Sequence, residues 1–394
     1  MTFQHSHVNL FCKRLQIVQL LVYGFKLFLL SQNIASGLQT MTLRDDKKAN
    51  RNITIIDVAH EAGVSYSTVS RVLSDYEFVK ESTRQRVIDA INRLGYVANL
   101  SARSLAGGRA QIIGVLAPGL DNSYIGEVVR GIDEELARAN YDLMMYTTHR
   151  HVGKESMYVN AIANGFSDGL LLLVPMLPTA YLDALRERSF PYVLIDQFDD
   201  SGKSSAVDST NWQGAYEATR YLIELGHRRI AFITGLMGLS SAAQRLAGFK
   251  AALADAGLPF LEELIVNGNF WQQLAHDEMK KCLETWRELP TAIFASNDLS
   301  AFGAMEAVRE HGLHIPKDIS ILGFDDIPQA SIVFPKLTTV RQPLVQMGRV
   351  SVKLLLEQIE NPDNSPRRVT LPTQLVIRDS CMPPREERRV ILNT

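Results

Sequence analysis

Cysteine is scarce in this 394-residue chain: Cys12, Cys282 and Cys381 lie far apart and form no C-x-x-C pair. That spacing excludes a disulfide framework or a structural zinc site and fits a reducing compartment. An excess of one charge sign is also lacking. Lysine and arginine number 41 against 43 acidic residues, for a formal net charge of −2, so any affinity for nucleic acid has to come from a local basic surface. With 46% hydrophobic and 21% charged residues, Gly 25 and Pro 15, the composition excludes disordered, collagenous and many-span membrane classes. Histidines are scattered, and the closest pair, His149 and His151, has no further ligand at suitable spacing. It reads as a solvated loop, and no metal site is expected.

Long apolar runs are missing except for residues 15–30, which follow Lys13-Arg14 and precede Ile34-Ala35-Ser36-Gly37 in the manner of a signal peptide. A spanning helix needs about 20 apolar residues; this run is 16 long and contains Lys26 and two glutamines. Three readings stand: a signal peptide, a membrane anchor, or a translated stretch ahead of a start at Met41. The last is preferred, because of the character of the module that follows Met41.

The length fits two or three domains. From Thr54 to about Leu94 the pattern is short helices with polar turns. Thr54-Ile-Ile-Asp57 has the form of a capping box, Gly63 ends a first helix, Ser65 caps a second through Leu73, and Ser82 is expected to cap a third that stops at Gly95. Asn99–Ala106 is helix-compatible, and Gly107-Gly108 reads as a joint. Beyond it, short apolar runs at 112–117, 141–146, 169–174, 192–195, 229–234, 292–295 and 319–324 alternate with amphipathic stretches. Continuous Val/Ile/Leu strands between helices predict parallel strands covered on both faces, a doubly wound α/β architecture in two similar lobes.

Val58, Ala59, Ala62, Val64, Val69, Val72 and Leu73 recur at helical spacing on either side of the turn at Gly63. Tyr66, Ser67, Thr68, Ser70 and Arg71 are left on the outer face of the second helix. Hydroxyls with one arginine near a helix N-terminus suit the major groove, where base edges and phosphates accept each donor. Between Arg51 and Arg109, eight basic residues stand against six carboxylates, which is mild support.

In the larger part, ligands of a doubly wound sheet sit beyond the carboxyl ends of the strands. The residues there are Asp121, Asn122 and Tyr124, Asp196, Arg245, Phe270, Asn297 and Asp298, and Asp325 and Asp326. Carboxylates, an arginine, an amide and aromatics suit a polyol or sugar, with planar partners for vicinal hydroxyls and a ring for a C–H face. Asp298 also reads as a helix cap, Asp326 as a cap of the turn that follows, and Phe270 as core. No G-x-S-x-G elbow, P-loop or G-x-G-x-x-G after a strand is present, so an enzyme is not expected.

Asp57-Val-Ala, Ala62-Gly-Val-Ser, Thr68-Val-Ser-Arg-Val-Leu, Thr83-Arg84, Leu94-Gly-Tyr96 and Ser104-Leu-Ala-Gly107 together resemble the headpiece of the lactose/galactose repressor (LacI/GalR) family of bacterial transcription regulators. The likeness continues from Ile113-Gly-Val to Ile377-Arg-Asp-Ser380 and so covers nearly everything after residue 52. It implies a helix-turn-helix headpiece plus a two-lobed, periplasmic-binding-protein-like ligand domain. The expected divisions are an extension at 1–52, a headpiece at 53–98, a hinge helix and linker at 99–109, an effector-binding and dimerisation domain at 110–380, and a tail at 381–394.

By the same resemblance Tyr66, Ser67 and Arg71 read bases, while Ser65, Thr68, Ser70, Thr83 and Tyr96 position the DNA backbone. Asn99–Ala106 resembles a hinge helix whose Leu105 wedges between base steps with Ala102 at the dyad; Ala98 stands where the family usually has proline. Arg245 is the effector-clasping arginine, Asn297 binds hydroxyls, and Asp325 joins them, with Asp196, Phe270 and Tyr124 lining the cleft. The partners implied are double-stranded operator DNA, a sugar-like effector and a second copy of the chain. A cofactor, metal or membrane is not implied. The competing readings are a transporter's extracytoplasmic sugar-binding protein, which the segment 54–105 counts against, and a sugar-modifying enzyme.

Overall fold

The computed structural model describes residues 53–73, 76, 78–96, 109–164, 167–176, 179–199 and 201–385. The expectations for residues 1–52 and for the hinge helix, with Asn99, Ala102 and Leu105, lie outside the described residues. The chain divides into two units, Met1–Ala98 and Asn99–Thr394.

The described part of the first unit holds three helices: α1 (Ile55–Ala62), α2 (Tyr66–Leu73) and α3 (Glu81–Leu94). The capping box forms. Thr54 N and Oγ1 both donate to Asp57 Oδ2 at 2.7 Å, and Asp57 N donates back to Thr54 Oγ1 at 3.4 Å. Gly63 closes α1 in the left-handed region, φ 64°, which a side chain would disfavour. Ser65 Oγ accepts from Thr68 N at 3.2 Å and so caps α2. The third helix departs from expectation: it begins at Glu81 after Lys80, without a side-chain cap, and Ser82 lies exposed in its first turn. Val58, Ala59, Ala62, Val69, Val72, Val87 and Ala90 form the core. Because all seven are alanine or valine, the three helices pack closely around little apolar volume.

The second unit contains two six-stranded sheets. One runs β11-β5-β4-β3-β1-β2 and the other β12-β10-β9-β8-β6-β7. In the first lobe the strands are β1 (Ile112–Ala117), β2 (Asp142–Thr147), β3 (Gly169–Leu173), β4 (Tyr192–Ile195), β5 (Ser205–Ser209) and β11 (Arg368–Leu371). The second lobe has β6 (Ile230–Thr234), β7 (Ile265–Asn267), β8 (Ala292–Ala295), β9 (Ser320–Asp325), β10 (Thr338–Arg341) and β12 (Gln374–Val376). Only β12 pairs antiparallel. Strand order reverses at β1 and at β6, the positions where doubly wound sheets open a crevice at their carboxyl edge.

Helices α4 (Ser123–Arg138), α5 (Val152–Ala163), α6 (Thr179–Glu187) and α11 (Leu344–Glu360) cover the first sheet. The second carries α7 (Asn211–Glu224), α8 (Ser240–Asp255), α9 (Gln272–Thr285) and α10 (Asp298–Glu310). The chain therefore crosses between lobes after β5, β10 and β11. At these crossings Thr373 N donates to Thr210 Oγ1 at 2.8 Å, and Ser209 Oγ donates to Gln342 Oε1 at 2.6 Å. No helix among the described residues is long and apolar enough to cross a membrane.

Five strands, β5, β7, β10, β11 and β12, have no counterpart among the expected apolar runs. Strand β5 reads Ser-Ala-Val-Asp-Ser yet is buried throughout. Its polar side chains draw partners from distant segments: Arg368 Nε donates to Asp208 Oδ2 at 3.0 Å, and Gln358 Nε2 donates to Ser205 Oγ at 2.6 Å.

Candidate functional site

The helix α2 turns Tyr66, Ser67 and Arg71 outward, with Tyr66 49% exposed, while Val69 and Val72 face the core. Thr68 and Ser70 are half-buried. Ser65 Oγ lies 2.8 Å from both Ser67 Oγ and Thr68 Oγ1, so the first turn presents a linked set of hydroxyls. The Arg71 guanidinium sits 5.7 Å over the Tyr76 ring. Thr83 N donates to Lys80 O at 2.8 Å in the first turn of α3, and Tyr96 packs against the headpiece core. Tyr76 and Phe78, exposed and edge-to-face at 5.7 Å, have no place in the sequence reading; their only signal is two aromatics in a polar turn.

In the second unit, Tyr124, Asp196, Arg245, Phe270, Asn297 and Asp325 all line one cavity between the lobes. They come from the carboxyl ends of β4, β7, β8 and β9 and from the first turns of α4 and α8. Of these residues Asp196, Phe270 and Asp325 adopt positive φ, at 56°, 65° and 123°, strain that is concentrated at the site. Gly235 leaves room for the Phe270 ring, which would collide with any Cβ there. Phe270 is thus a wall of the cavity and not core.

Arg245 is 2% exposed. Its Nε donates to Asn211 Oδ1 at 2.8 Å and its Nη1 to Ser296 O at 2.6 Å, with Asp325 Oδ1 3.5 Å away. The Phe324 ring supports the guanidinium at 3.8 Å. Nη2 has no hydrogen bond among the described residues. Asn297 caps α10, accepting from Ser300 N at 3.0 Å and donating to Phe270 O at 3.2 Å. One amide hydrogen remains free. The Tyr124 hydroxyl and Asp196 Oδ1 are buried and make no hydrogen bond of ordinary length among the described residues; they lie near each other, and Asn211 lies near Asp196.

The neighbouring aspartates serve the frame, contrary to the expected caps. Asp298 is fully buried inside α10, accepting from Ile327 N at 2.9 Å and Thr339 Oγ1 at 2.5 Å. Asp326 accepts from Arg341 Nε and Arg378 Nη2, both at 2.6 Å, and caps no turn. Three polar residues around the site, Asn211, Gln342 and Arg150, were missed in sequence, and a fourth, Asn122, was named only as a strand-end residue. Asn211 holds Arg245, and Gln342 Nε2 donates to Asp325 Oδ1 at 2.7 Å; Arg150 and Asn122 line the cavity. Asn122 stands among the strand-end residues, but Arg150 lies inside the stretch read as a solvated loop.

Burial pushes the Asp325 carboxyl up to about 7; Arg245 and Gln342 pull it down and the Asp196 charge adds to the rise. Burial likewise raises Asp196 and the Tyr124 hydroxyl. An acid raised in the fold binds its proton more tightly there than in the unfolded chain, so its stability contribution is full below the ordinary 3.8 and is lost as pH rises to about 7. Wild type minus Asp325→Asn stability, from urea unfolding across that range, is expected to fall with pH and flatten above 7. A flat difference would remove Asp325 from this role.

Two family models match the chain: "Bacterial regulatory proteins, lacI family" over residues 54–99 and "Periplasmic binding protein-like domain" over 219–381. Catabolite control protein A of Priestia megaterium is 33% identical over 330 residues, covering 84% of this chain and 99% of that protein. A lac repressor dimer bound to operator and the anti-inducer ONPF superposes with a TM-score of 0.73 at 28% identity, covering 84% of this chain and all of that one (100%). A transcriptional regulator CelR in complex with cellobiose gives 0.64 at 31% identity, covering 83% and 99%.

Proposed function

The chain belongs to the lacI family of bacterial regulatory proteins, and from that premise we propose that it is a cytoplasmic repressor that binds a pseudopalindromic operator as a dimer under control of a sugar-like effector. Its family makes it a DNA-binding transcription regulator and not an enzyme. The observation that carries the finer reading is the interlobe cavity. Its guanidinium, amide, and buried hydroxyl and carboxylate oxygens face a ring wall, the donor and acceptor set that a polyol matches. The relatives solved with cellobiose and with ONPF support the same reading. Bringing the lobes together around a ligand alters their relation, and operator and effector then change each other's affinity by one common factor.

Fluorescence anisotropy tests this, using the chain from Met41 and its own upstream DNA at one fixed salt concentration, with and without a sugar panel. Sequence-dependent binding shifted by a sugar supports the proposal. Sugar binding without preference over scrambled DNA would favour the transporter-like alternative.

Base reading is assigned to Tyr66, Ser67 and Arg71, backbone positioning to Ser65, Thr68, Ser70, Thr83 and Tyr96, and the minor-groove wedge to Leu105, with Ala102 at the dyad and Asn99 a further DNA-binding residue. Arg71→Ala is expected to lose roughly 1–3 kcal/mol of discrimination, or about 5- to 150-fold, in competition against scrambled DNA. An equal loss on both DNAs would make Arg71 a phosphate contact. Dimerisation is supported by Ile332 and Phe334, 77% and 87% exposed in one loop of the second lobe, an apolar surface that a second copy would cover. Phe334→Glu is expected to shift sedimentation from dimer to monomer, whereas an unchanged dimer places the interface elsewhere.

A further inference from the structure

Arg150 sits at the end of the turn after β2 with φ 57°, its backbone N donating to Thr148 Oγ1 at 3.3 Å. Thr148 is buried, and its own N donates to Ala117 O at 3.0 Å at the end of β1. The loop is thus tied to the sheet, and it holds a half-buried guanidinium against the cavity. Every other arginine of the described second unit that is buried or half-buried has a carboxylate within 4 Å: Arg186 with Asp199, Arg229 with Glu263, Arg245 with Asp325, Arg349 with Glu134, Arg378 with Asp326. Arg150 has none. Its nearest acidic influence is Asp121, which is exposed and acts only from beyond ion-pair distance.

What Arg150 does touch is the face of Trp271, 5.7 Å from guanidinium to ring centre, on the opposite lobe. Stacking occupies the face of a guanidinium and leaves its edge N–H groups in a planar fork suited to an oxyanion. Within the cavity Arg245 already has Asp325, and burial raises both Asp325 and Asp196 toward their neutral forms. A desolvated cation without a counter-charge is unfavourable, and an anion arriving with the ligand removes that penalty.

We infer that the effector is a hydroxylated, sugar-like molecule carrying one anionic group, a carboxylate or a phosphate, that docks on the edge of Arg150 at the Trp271 side of the cavity. This deepens the proposed effector site and rests on that reading. Arg245, Asn297 and Asp196 take the hydroxyls, while Arg150 decides between a neutral sugar and its charged counterpart. The Arg150–Trp271 stack spans the two lobes, so engaging the anion also favours the closed cleft.

The test uses the full chain, as wild type and as Arg150→Leu, at constant ionic strength. Melting temperature is followed with inorganic phosphate, and calorimetry with glucose, galactose, glucuronate, galacturonate and the corresponding 6-phosphates. Arg150 makes no side-chain hydrogen bond among the described residues and carries an uncompensated charge, so the variant is expected to melt no lower than wild type without ligand. In wild type an acid or a phosphate binds at least about tenfold more tightly than its neutral parent, the scale of one charge-assisted hydrogen bond, and Arg150→Leu erases that gap. The carboxylate and phosphate arms identify which anion the fork takes.

The inference is overturned if neutral sugars bind as well as their charged counterparts, or if the gap survives in Arg150→Leu. It is also overturned if no anionic probe, phosphate included, stabilises wild type beyond chloride of equal ionic strength. A neutral sugar that shifts operator affinity would overturn this inference and leave the regulator standing.

Discussion

Arg245→Lys is expected to weaken effector binding by at least about a hundredfold and to make the operator complex unresponsive at concentrations that saturate wild type. Arg245 Nε and Nη1 are anchored by Asn211 Oδ1 and Ser296 O, and Phe324 supports its face. Those contacts hold the guanidinium in place and leave Nη2 as its one nitrogen without a hydrogen bond among the described residues. Lysine keeps the charge beside Asp325 but has no fork, so it either remains on Ser296 and Asp325 or reaches the ligand. Two charge-assisted hydrogen bonds are then lost, at about 1.5–3 kcal/mol each. Retaining the charge matters for the experiment, because alanine would leave a buried carboxylate without its partner and confuse folding with binding. Calorimetry on the sugar that binds wild type, with operator anisotropy beside it, reads the effect. An unchanged effector midpoint would mean that Arg245 serves the frame alone.

The sequence exposed the site wherever a short apolar strand ended in a polar residue. Asp196, Asn297 and Asp325 each follow such a run, and the parallel order places those ends along one crevice. Arg245 belongs to the helix after β6, where the family motif was the stronger signal. Asn211 and Gln342 stayed hidden because the strands before them, β5 and β10, are Ser-Ala-Val-Asp-Ser and Thr-Thr-Val-Arg. Their burial depends on hydrogen bonds to residues more than a hundred positions away, or, for Thr339, to Asp298. No periodicity reports such partners. The same limit misled the reading of Asp298 and Asp326: a local cap is the default for an aspartate after a strand, but Thr339, Ile327, Arg341 and Arg378 are brought to them only by the fold. Arg150 was within reach, since β2 ends just before it, but the two flanking histidines drew the reading toward a metal question.

Gly131→Ala is expected to destabilise the second unit by about 3 kcal/mol, a fall of roughly 6–12 °C in melting temperature. Helices α4 and α11 meet at two glycines. A Cβ on Gly131 would fall on the Val345 carbonyl, and one on Gly348 would fall on the Val128 carbonyl, closer in both cases than real Cβ atoms approach backbone. Neither neighbour is the end of a flexible side chain, so relief requires the helices to separate. Separation opens the core that Val128, Ile132, Met347 and Val352 share. It also moves the start of α4, which carries Asn122 and Tyr124 to the cavity, so effector affinity should fall although Gly131 touches no ligand. Because both glycines permit one and the same approach, the double variant Gly131→Ala, Gly348→Ala is expected to cost clearly less than the two single costs added together. Melting curves of the four proteins decide it. Additive losses would mean that the two contacts yield independently, and an unchanged melting temperature for Gly131→Ala would mean that the helix pair has room to spare.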